Sequence, residues 1–214
     1  NAVVQEYGSS EGFICSTRSG DPLEWVYETQ GRPIAPADEF RIVDDDGRDV
    51  PPGEVGELLG RGPYTIRGYY NAPDYNRTAF TADGFYRTGD MVRLHPSGNL
   101  VIEGRKKDMI NRGGEHISAE EIEGYILNHP KVQNAAVVAM PDPVLGERAC
   151  AYVILQSGET LTLDELNRFL LEEKRIARFK CPERLEVVEQ FPLTAVGKVS
   201  KQALRAEIAK KLDP

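Results

Sequence analysis

The sequence predicts an α+β protein in two parts: a β-rich first part, then a second part in which helices and strands alternate. Three observations predict it. Residues 1–104 carry 9 basic and 17 acidic side chains and no lysine, whereas residues 105–214 carry 17 of each. A charge break of that kind places a domain boundary near Gly104-Arg105, giving parts 1–104 and 105–214. Short alternating runs divided by Gly, Pro and Asp clusters fill the first part, and capping signals followed by helically spaced apolar residues recur in the second.

Taken in order, Glu39-Phe40-Arg41-Ile42-Val43 alternates polar and apolar, and Asp44-Asp45-Asp46-Gly47 supplies a turn. After Pro51-Pro52-Gly53, the run Gly56-Glu57-Leu58-Leu59 reads as the next strand. Further strands are expected at Tyr64–Tyr70, Met91–Leu94 and Leu100–Glu103, with Asp83-Gly84 and Pro96-Ser97-Gly98 as turns. Pro73–Phe80 is expected to be a short helix, because proline fits a first helical turn. In the second part Ser118 and Glu121 have the spacing of a capping box, and Ile122, Tyr125 and Ile126 then share one helical face. Ala135–Ala139 and Cys150–Leu155 are compact apolar strands. Thr162 and Glu165 repeat the capping pattern ahead of Leu166, Phe169 and Leu170. Leu185–Val188 reads as a strand and Lys201–Leu212 as an amphipathic terminal helix.

Composition excludes several classes. The 214 residues are 40% apolar and 28% charged with a formal charge of −8, a balance that supports a core rather than disorder. No run approaches the roughly 18 apolar residues of a membrane span, and the negative charge argues against non-specific binding to nucleic acid or anionic membranes. Neither is expected as a partner. Cys15, Cys150 and Cys181 are odd in number and widely spaced, which fits no disulfide framework or zinc site; a reducing cytoplasm is the expected location. The chain opens at Asn1 and runs at once into Ala2-Val3-Val4 and a Gly/Ser turn. That reads as the interior of a domain with Ala2–Val4 in a sheet, so the chain is expected to be one half of a longer protein.

Four segments carry candidate chemistry. In Tyr7-Gly8-Ser9-Ser10-Glu11-Gly12, backbone N–H groups and hydroxyls of a small-residue turn can approach phosphate. Glu11 can share a Mg²⁺ with phosphates, and Tyr7 can cover a nucleobase; an ordinary tight turn explains the same residues. In Tyr86-Arg87-Thr88-Gly89-Asp90 the carboxylate after a glycine turn can accept ribose hydroxyls, and an Asx-type turn is the alternative. Gly104-Arg105-Lys106-Lys107, followed by Arg112-Gly113-Gly114-Glu115, sits on the charge break and suits a hinge beside an anionic ligand or a solvated linker and hairpin. Lys198, after Gly197 in Leu193-Thr194-Ala195-Val196-Gly197-Lys198, is placed to reach a phosphate as a point charge, or is a plain surface lysine.

Together and in this order, YGSSEG, GELLGRGPYTIRGYYN, YRTGD, GRKKDMINRGGEHISAEEIE and LTAVGKVSK resemble the C-terminal half of the acyl- and aryl-adenylate-forming ligases. The similarity is closest to the stand-alone aryl-acid AMP ligases of siderophore and non-ribosomal peptide biosynthesis, the 2,3-dihydroxybenzoate– and salicylate–AMP ligases. It covers essentially the whole chain. The resemblance implies that residues 1–104 complete the large adenylation domain with a β-barrel-like subdomain, and that residues 105–214 are a small mobile α+β cap.

It also implies roles. Glu11 matches the Mg²⁺-associated glutamate. Tyr7 matches the aromatic that stacks on adenine, with Gly8 and Ile14 near the aryl ring. Ser10 holds the position of a phosphate-contacting hydroxyl. Asp90 matches the ribose-binding aspartate and Arg105 the arginine near the ribose. Lys107 matches the hinge, and Arg112, Gly113, Gly114 and Glu115 the loop that lines the thiol's route. Lys198 matches the catalytic lysine at the carboxylate and α-phosphate. The implied reaction uses ATP and Mg²⁺ to convert an aryl carboxylic acid to its adenylate. The acyl group then passes to a phosphopantetheinylated aryl carrier protein, or to CoA in the alternative of an aryl- or acyl-CoA ligase. An alternative of another class is a non-catalytic docking module. Two departures stand out. Ser9-Ser10 occupy positions where aryl-acid ligases usually carry Met-Ala, which leaves the aryl acid open. No S-G-T-T-G-x-P-K phosphate loop is present. That loop lies upstream in the family, so the isolated chain is expected to be inactive and to need the missing N-terminal half.

Overall fold

A computed structural model describes residues 3–212. The chain divides into two compact units, Asn1–Lys106 and Lys107–Pro214. No helix among the described residues is long and apolar enough to cross a membrane, and the three cysteines are free and buried.

The first unit begins with β1 (Glu6–Gly8), β2 (Ile14–Ser16), helix α1 (Leu23–Glu28) and β3 (Arg32–Pro33), the strands forming one small antiparallel sheet in the order β1-β2-β3. It continues with β4 (Glu39–Val43), β5 (Gly56–Arg61), helix α2 (Pro73–Ala79), β6 (Tyr86–Leu94) and β7 (Leu100–Arg105). These four strands make an antiparallel sheet in sequence order. β5 is central, and its Leu58 and Leu59 are buried on opposite faces, at 0% and 1% exposure. Leu58 packs with Phe13, Cys15, Ile42, Val92 and Leu100, and Leu59 with Val43 and Phe85. Full burial of one such leucine contributes about 1.5–3 kcal/mol. Gly60 lets the strand touch Phe13: a Cβ there would lie 2.7 Å from the ring.

In the second unit β8 (Met109–Arg112) and β9 (Glu115–Ser118) form a hairpin, followed by α3 (Ala119–Ile126), β10 (Val132–Asp142), β11 (Gly146–Leu155), α4 (Leu163–Glu172), β12 (Arg184–Val187) and α5 (Lys201–Leu212). The strands order as β10-β11-β8-β9, with β12 parallel to β11. Strand alternation sends successive residues to opposite faces. Ala135, Val137, Ala151 and Val153 therefore meet Ile122 and Ile126 of α3 and Leu166 and Leu170 of α4. Ala136, Val138, Cys150 and Tyr152 meet Leu204 and Ile208 of α5. Both capping signals act, but only by half. Ser118 Oγ accepts from Glu121 N at 3.1 Å, and Thr162 Oγ1 from Glu165 N at 3.2 Å. The carboxylates turn away, Glu121 to Lys180 and Glu165 to Lys131, because an ion pair with a neighbouring element replaces the return bond to the cap.

Three expectations are corrected. Tyr64–Tyr70 forms no strand; it is an irregular loop between β5 and α2. Its aromatic content suits a strand, but Gly62-Pro63 precede it and Gly68 interrupts it, and its Ile66 N bonds to Glu11 O of the β1–β2 turn instead of to a sheet edge. Arg87–Asp90 is not a turn but lies inside β6, where Gly89 takes φ +70° and the register to β5 slips. A bulge therefore does what a turn was expected to do. Of the run Ala2–Val4, Ala2 lies outside the described residues, while Val3 and Val4 are exposed and pair with no strand.

Candidate functional site

Tyr7 and Gly8 end β1, and Ser9–Gly12 turn the chain into β2, closed by Ser9 N to Phe13 O at 3.0 Å and Gly12 N to Ser9 O at 3.1 Å. Gly12 takes φ +105°, and a Cβ there would lie 2.2 Å from the Tyr64 carbonyl oxygen. Only glycine allows the turn to press that closely on the following loop. Gly8 faces Ile14 across the hairpin. Ser10 is exposed, and the buried Ser9 hydroxyl has no protein partner.

Asp90 is only 8% exposed. The Tyr7 hydroxyl donates to its Oδ2 at 2.5 Å, and Arg105 Nε lies 3.0 Å from its Oδ1. Strand pairing brings the pair together, for Asp90 and Arg105 are opposite each other in the β6–β7 register. Arg105 also donates to Thr88 O at 2.9 Å, while Thr88 Oγ1 accepts from Asp90 N at 3.1 Å and donates to Leu58 O at 2.9 Å. The bulge at Gly89 is thus tied to the central strand. Burial, then the hydrogen bond to Asp90 and its negative charge, hold the Tyr7 phenol protonated, far above the ordinary tyrosine range. A buried carboxylate beside an aromatic ring and a guanidinium has the chemistry to accept the hydroxyls of a ribose whose base lies against the ring.

Glu11 is met by a group that the sequence reading missed. Tyr69 OH donates to Glu11 Oε1 at 2.6 Å and lies 3.3 Å from Tyr86 OH. Burial, then the bonds to Glu11 and Tyr86, hold this phenol protonated too. The GYYN run contains the tyrosine, but its partner is 58 positions away, so spacing gives no signal. Among the described residues no group of three or more His, Cys, Asp or Glu converges on a metal position. One carboxylate does not hold Mg²⁺ by itself, yet it fits the ion's habit of keeping waters and taking one or two carboxylates along with substrate phosphates.

The structure therefore brings together Tyr7, Asp90 and Arg105, and places Gly8, Ser10, Glu11 and Ile14 on the adjoining hairpin, all within the first unit. The remaining candidates belong to the second. Lys107 opens it, exposed and without a side-chain partner among the described residues. Its neighbours are both anchored: Lys106 Nζ lies 3.1 Å from Glu57 Oε2 and 2.8 Å from Asp45 Oδ1, and Arg205 pairs with Asp108 at 2.8 Å. Burial works against the Lys106 charge, but the hydrogen bonds to Asp45 and Glu57 outweigh it and raise the ammonium's pKa.

Gly113 and Gly114 form the two-residue turn of the β8–β9 hairpin, with φ +62° and +95° as a tight primed turn requires. Arg112 bonds Glu183 at 2.6 Å, and Glu115 is exposed. Lys198 is exposed on a loop closed by the Leu193–Val199 bridge and by Thr194 N to Lys198 O at 2.7 Å. That loop runs directly into α5.

Residues 1–70 match the family described as AMP-binding enzyme, and residues 121–198 match the AMP-binding enzyme C-terminal domain. The chain is 55% identical over 210 residues to 2,3-dihydroxybenzoate-AMP ligase of Bacillus subtilis, a match covering 98% of this chain and 39% of that protein. It is 54% identical to a salicylyl-CoA synthase / salicylate adenylyltransferase of a Streptomyces species, covering 99% of this chain and 38% of that one. Among solved structures, ATP-bound MatB from Rhodopseudomonas palustris superposes with a TM-score of 0.84 at 30% identity, over 99% of this chain and 41% of that one. The chain thus spans about two fifths of the length of the proteins it resembles.

Proposed function

Because this chain belongs to the AMP-binding enzymes, we propose that it forms part of an adenylate-forming ligase that activates an aryl carboxylic acid with ATP for siderophore or related peptide biosynthesis in the cytoplasm. The observation that carries the reading is the Tyr7–Asp90–Arg105 group, in a chain with such relatives. Asp90 accepts the ribose hydroxyls, Tyr7 lies against the base and Arg105 pairs with the buried carboxylate. Gly8 and Ile14 border the aryl ring, Ser10 contacts phosphate and Glu11 is the protein's ligand toward Mg²⁺. When bound, Mg²⁺ neutralises phosphate charge and steadies the leaving pyrophosphate. Lys198 donates to the substrate carboxylate and α-phosphate as charge grows there, a preorganised electrostatic contribution.

The second half-reaction requires a thiol at the same carbonyl. Rotation of residues 105–214 about Lys107 exchanges Lys198 for the Arg112–Glu115 loop, so that one site serves two steps. The acceptor is the phosphopantetheine of an aryl carrier protein. The salicylyl-CoA synthase relative supports a second reading, in which the acceptor is CoA. The phosphate loop and most of the acid pocket come from a further stretch of polypeptide, so the 214 residues alone do not catalyse adenylation.

ATP–pyrophosphate exchange by the full-length protein, supplied in turn with 2,3-dihydroxybenzoate, salicylate and aliphatic acids, tests the reading. Exchange with an aryl acid and none with the aliphatic acids is expected, and the reverse order sinks the aryl assignment. Calorimetry on the 214-residue chain is expected to show weak ATP binding or none. Micromolar affinity there would refute the need for further polypeptide.

A further inference from the structure

We infer that Tyr69 is a positioning residue for Glu11: its hydroxyl fixes the carboxylate through Oε1 and leaves Oε2 for a divalent cation carried by the nucleotide. The inference rests on the nucleotide-site reading above. Tyr69 OH to Glu11 Oε1 is 2.6 Å, and among the described residues Oε2 takes no protein hydrogen bond. An unanchored glutamate in a surface turn loses rotamer freedom when it binds a cation. One held beforehand has already lost it, and groups that orient a metal's ligands matter to affinity for this reason.

The local sequence is organised around placing that one hydroxyl. Asn76, in the first turns of α2, accepts from Tyr69 N at 2.7 Å and donates to Tyr69 O at 2.9 Å, so both backbone groups of Tyr69 are clamped. Pro73 opens that helix and brings Asn76 back to the loop. Gly68 leaves room for the amide, since a Cβ there would meet it at 3.2 Å. The ring is held at its sides by Tyr75, edge-on at 5.1 Å between centroids, and by Phe80 at 6.3 Å. Behind it stands Tyr86 OH at 3.3 Å. A tyrosine serving only as packing would not need its backbone tied twice and its hydroxyl set between a carboxylate and a second phenol. The same strand, β6, supplies Tyr86 here and Asp90 for Tyr7, so both functional side chains of the 7–12 hairpin turn are referenced to one element.

The test measures Mn²⁺, a paramagnetic stand-in for Mg²⁺, by electron paramagnetic resonance in the full-length protein with ATP present. Tyr69→Phe keeps the ring and removes the bond. The Mn²⁺ dissociation constant is expected to rise about tenfold, the lower end of what loss of a ligand-orienting group costs, while metal-free ATP affinity changes little. Asn76→Ala, which leaves the hydroxyl but frees the Tyr69 backbone, is expected to raise it in the same direction by less. Glu11→Gln separates the two claims. If Glu11→Gln weakens Mn²⁺ and Tyr69→Phe does not, the positioning role is wrong and the nucleotide site stands. If neither weakens it, or no Mn²⁺·ATP binds at all, the Glu11 assignment fails and takes the inference with it.

Discussion

The Tyr7 hydroxyl and the Asp90 carboxylate, 83 positions apart in sequence, are joined by a hydrogen bond of 2.5 Å. It links the β1–β2 hairpin to the long strand β6 and orients an aromatic ring and a carboxylate toward each other. Tyr7→Phe keeps the ring and is expected to destabilise the first unit by about 1.5–3 kcal/mol, the scale of a hydrogen bond to a charged group. Trp25, the sole tryptophan, sits in that unit on α1, so its fluorescence in a urea titration reads the loss. An unchanged midpoint would show that the bond contributes nothing.

The same phenol gives a pH dependence. Its folded pKa is raised, so below about pH 10 the tyrosine is protonated folded and unfolded alike and its contribution is complete. Above about pH 10 the unfolded chain releases the proton and the folded one keeps it, so stability falls by about 1.4 kcal/mol per pH unit for this group. Between about pH 10 and 12, Tyr7→Phe is expected to lose stability less steeply than the unaltered protein by that amount. Parallel curves in urea titrations across this range would mean that Tyr7 is not held protonated.

Lys198 is exposed and unpaired among the described residues, so Lys198→Ala should leave the melting temperature unchanged. In the full-length protein it is expected to slow adenylation by about 10²- to 10³-fold, the effect of removing one preorganised electrostatic group. Thioester formation from preformed acyl adenylate should be nearly spared. Equal losses in both half-reactions would refute the assignment.

Lys107→Pro fixes φ at the residue between two anchored neighbours and restricts Lys106. Pyrophosphate exchange is expected to survive better than thioester formation. Unimpaired thioester formation would place the pivot elsewhere.

Arg205 reaches back from α5 to Asp108 at 2.8 Å, with 30% and 10% of the two side chains exposed. Arg205→Ala strands a nearly buried carboxylate. The cost is expected to be roughly 1–2 kcal/mol, discounted from the 3–5 of a fully buried pair because Arg205 is partly solvated. Thermal unfolding of residues 107–214 measures it, and Asp108→Asn in the Arg205→Ala background should recover part of the loss. No recovery would mean that the carboxylate's charge is not the cause.

The legible elements were those whose signals are local. Glu39–Val43 alternates between turn clusters and forms a strand with those bounds, and Ser118 and Thr162 begin their helices. Helix α1 is six residues long and no side chain caps it, so neither periodicity nor a capping box marks it. The three-residue strands β1 and β2 are too short for periodicity to register. The aromatic content of Tyr64–Tyr70 favours a strand, while its backbone bonds to a turn more than fifty residues earlier. Tyr7, Asp90 and Arg105 drew attention as members of motifs, yet nothing in their spacing says that they touch. Tyr69 was invisible for the same reason: its partner is set by how the loop packs on the hairpin.

The ion pairs of Lys106 bear on self-inflicted damage. Acyl adenylates are mixed anhydrides, and an uncharged amine attacks them without help. Residues 1–104 contain no lysine, and the one side-chain amine of the first unit, that of Lys106, is kept charged by Glu57 and Asp45. An ammonium has no lone pair to give. On the proposed function, an acyl adenylate that escapes its site would meet only this paired ammonium on the unit that carries Tyr7 and Asp90, whereas the lysines of the second unit include the exposed Lys107 and Lys198. Acylation mapped by mass spectrometry after turnover would record that asymmetry as a line drawn between Lys106 and Lys107.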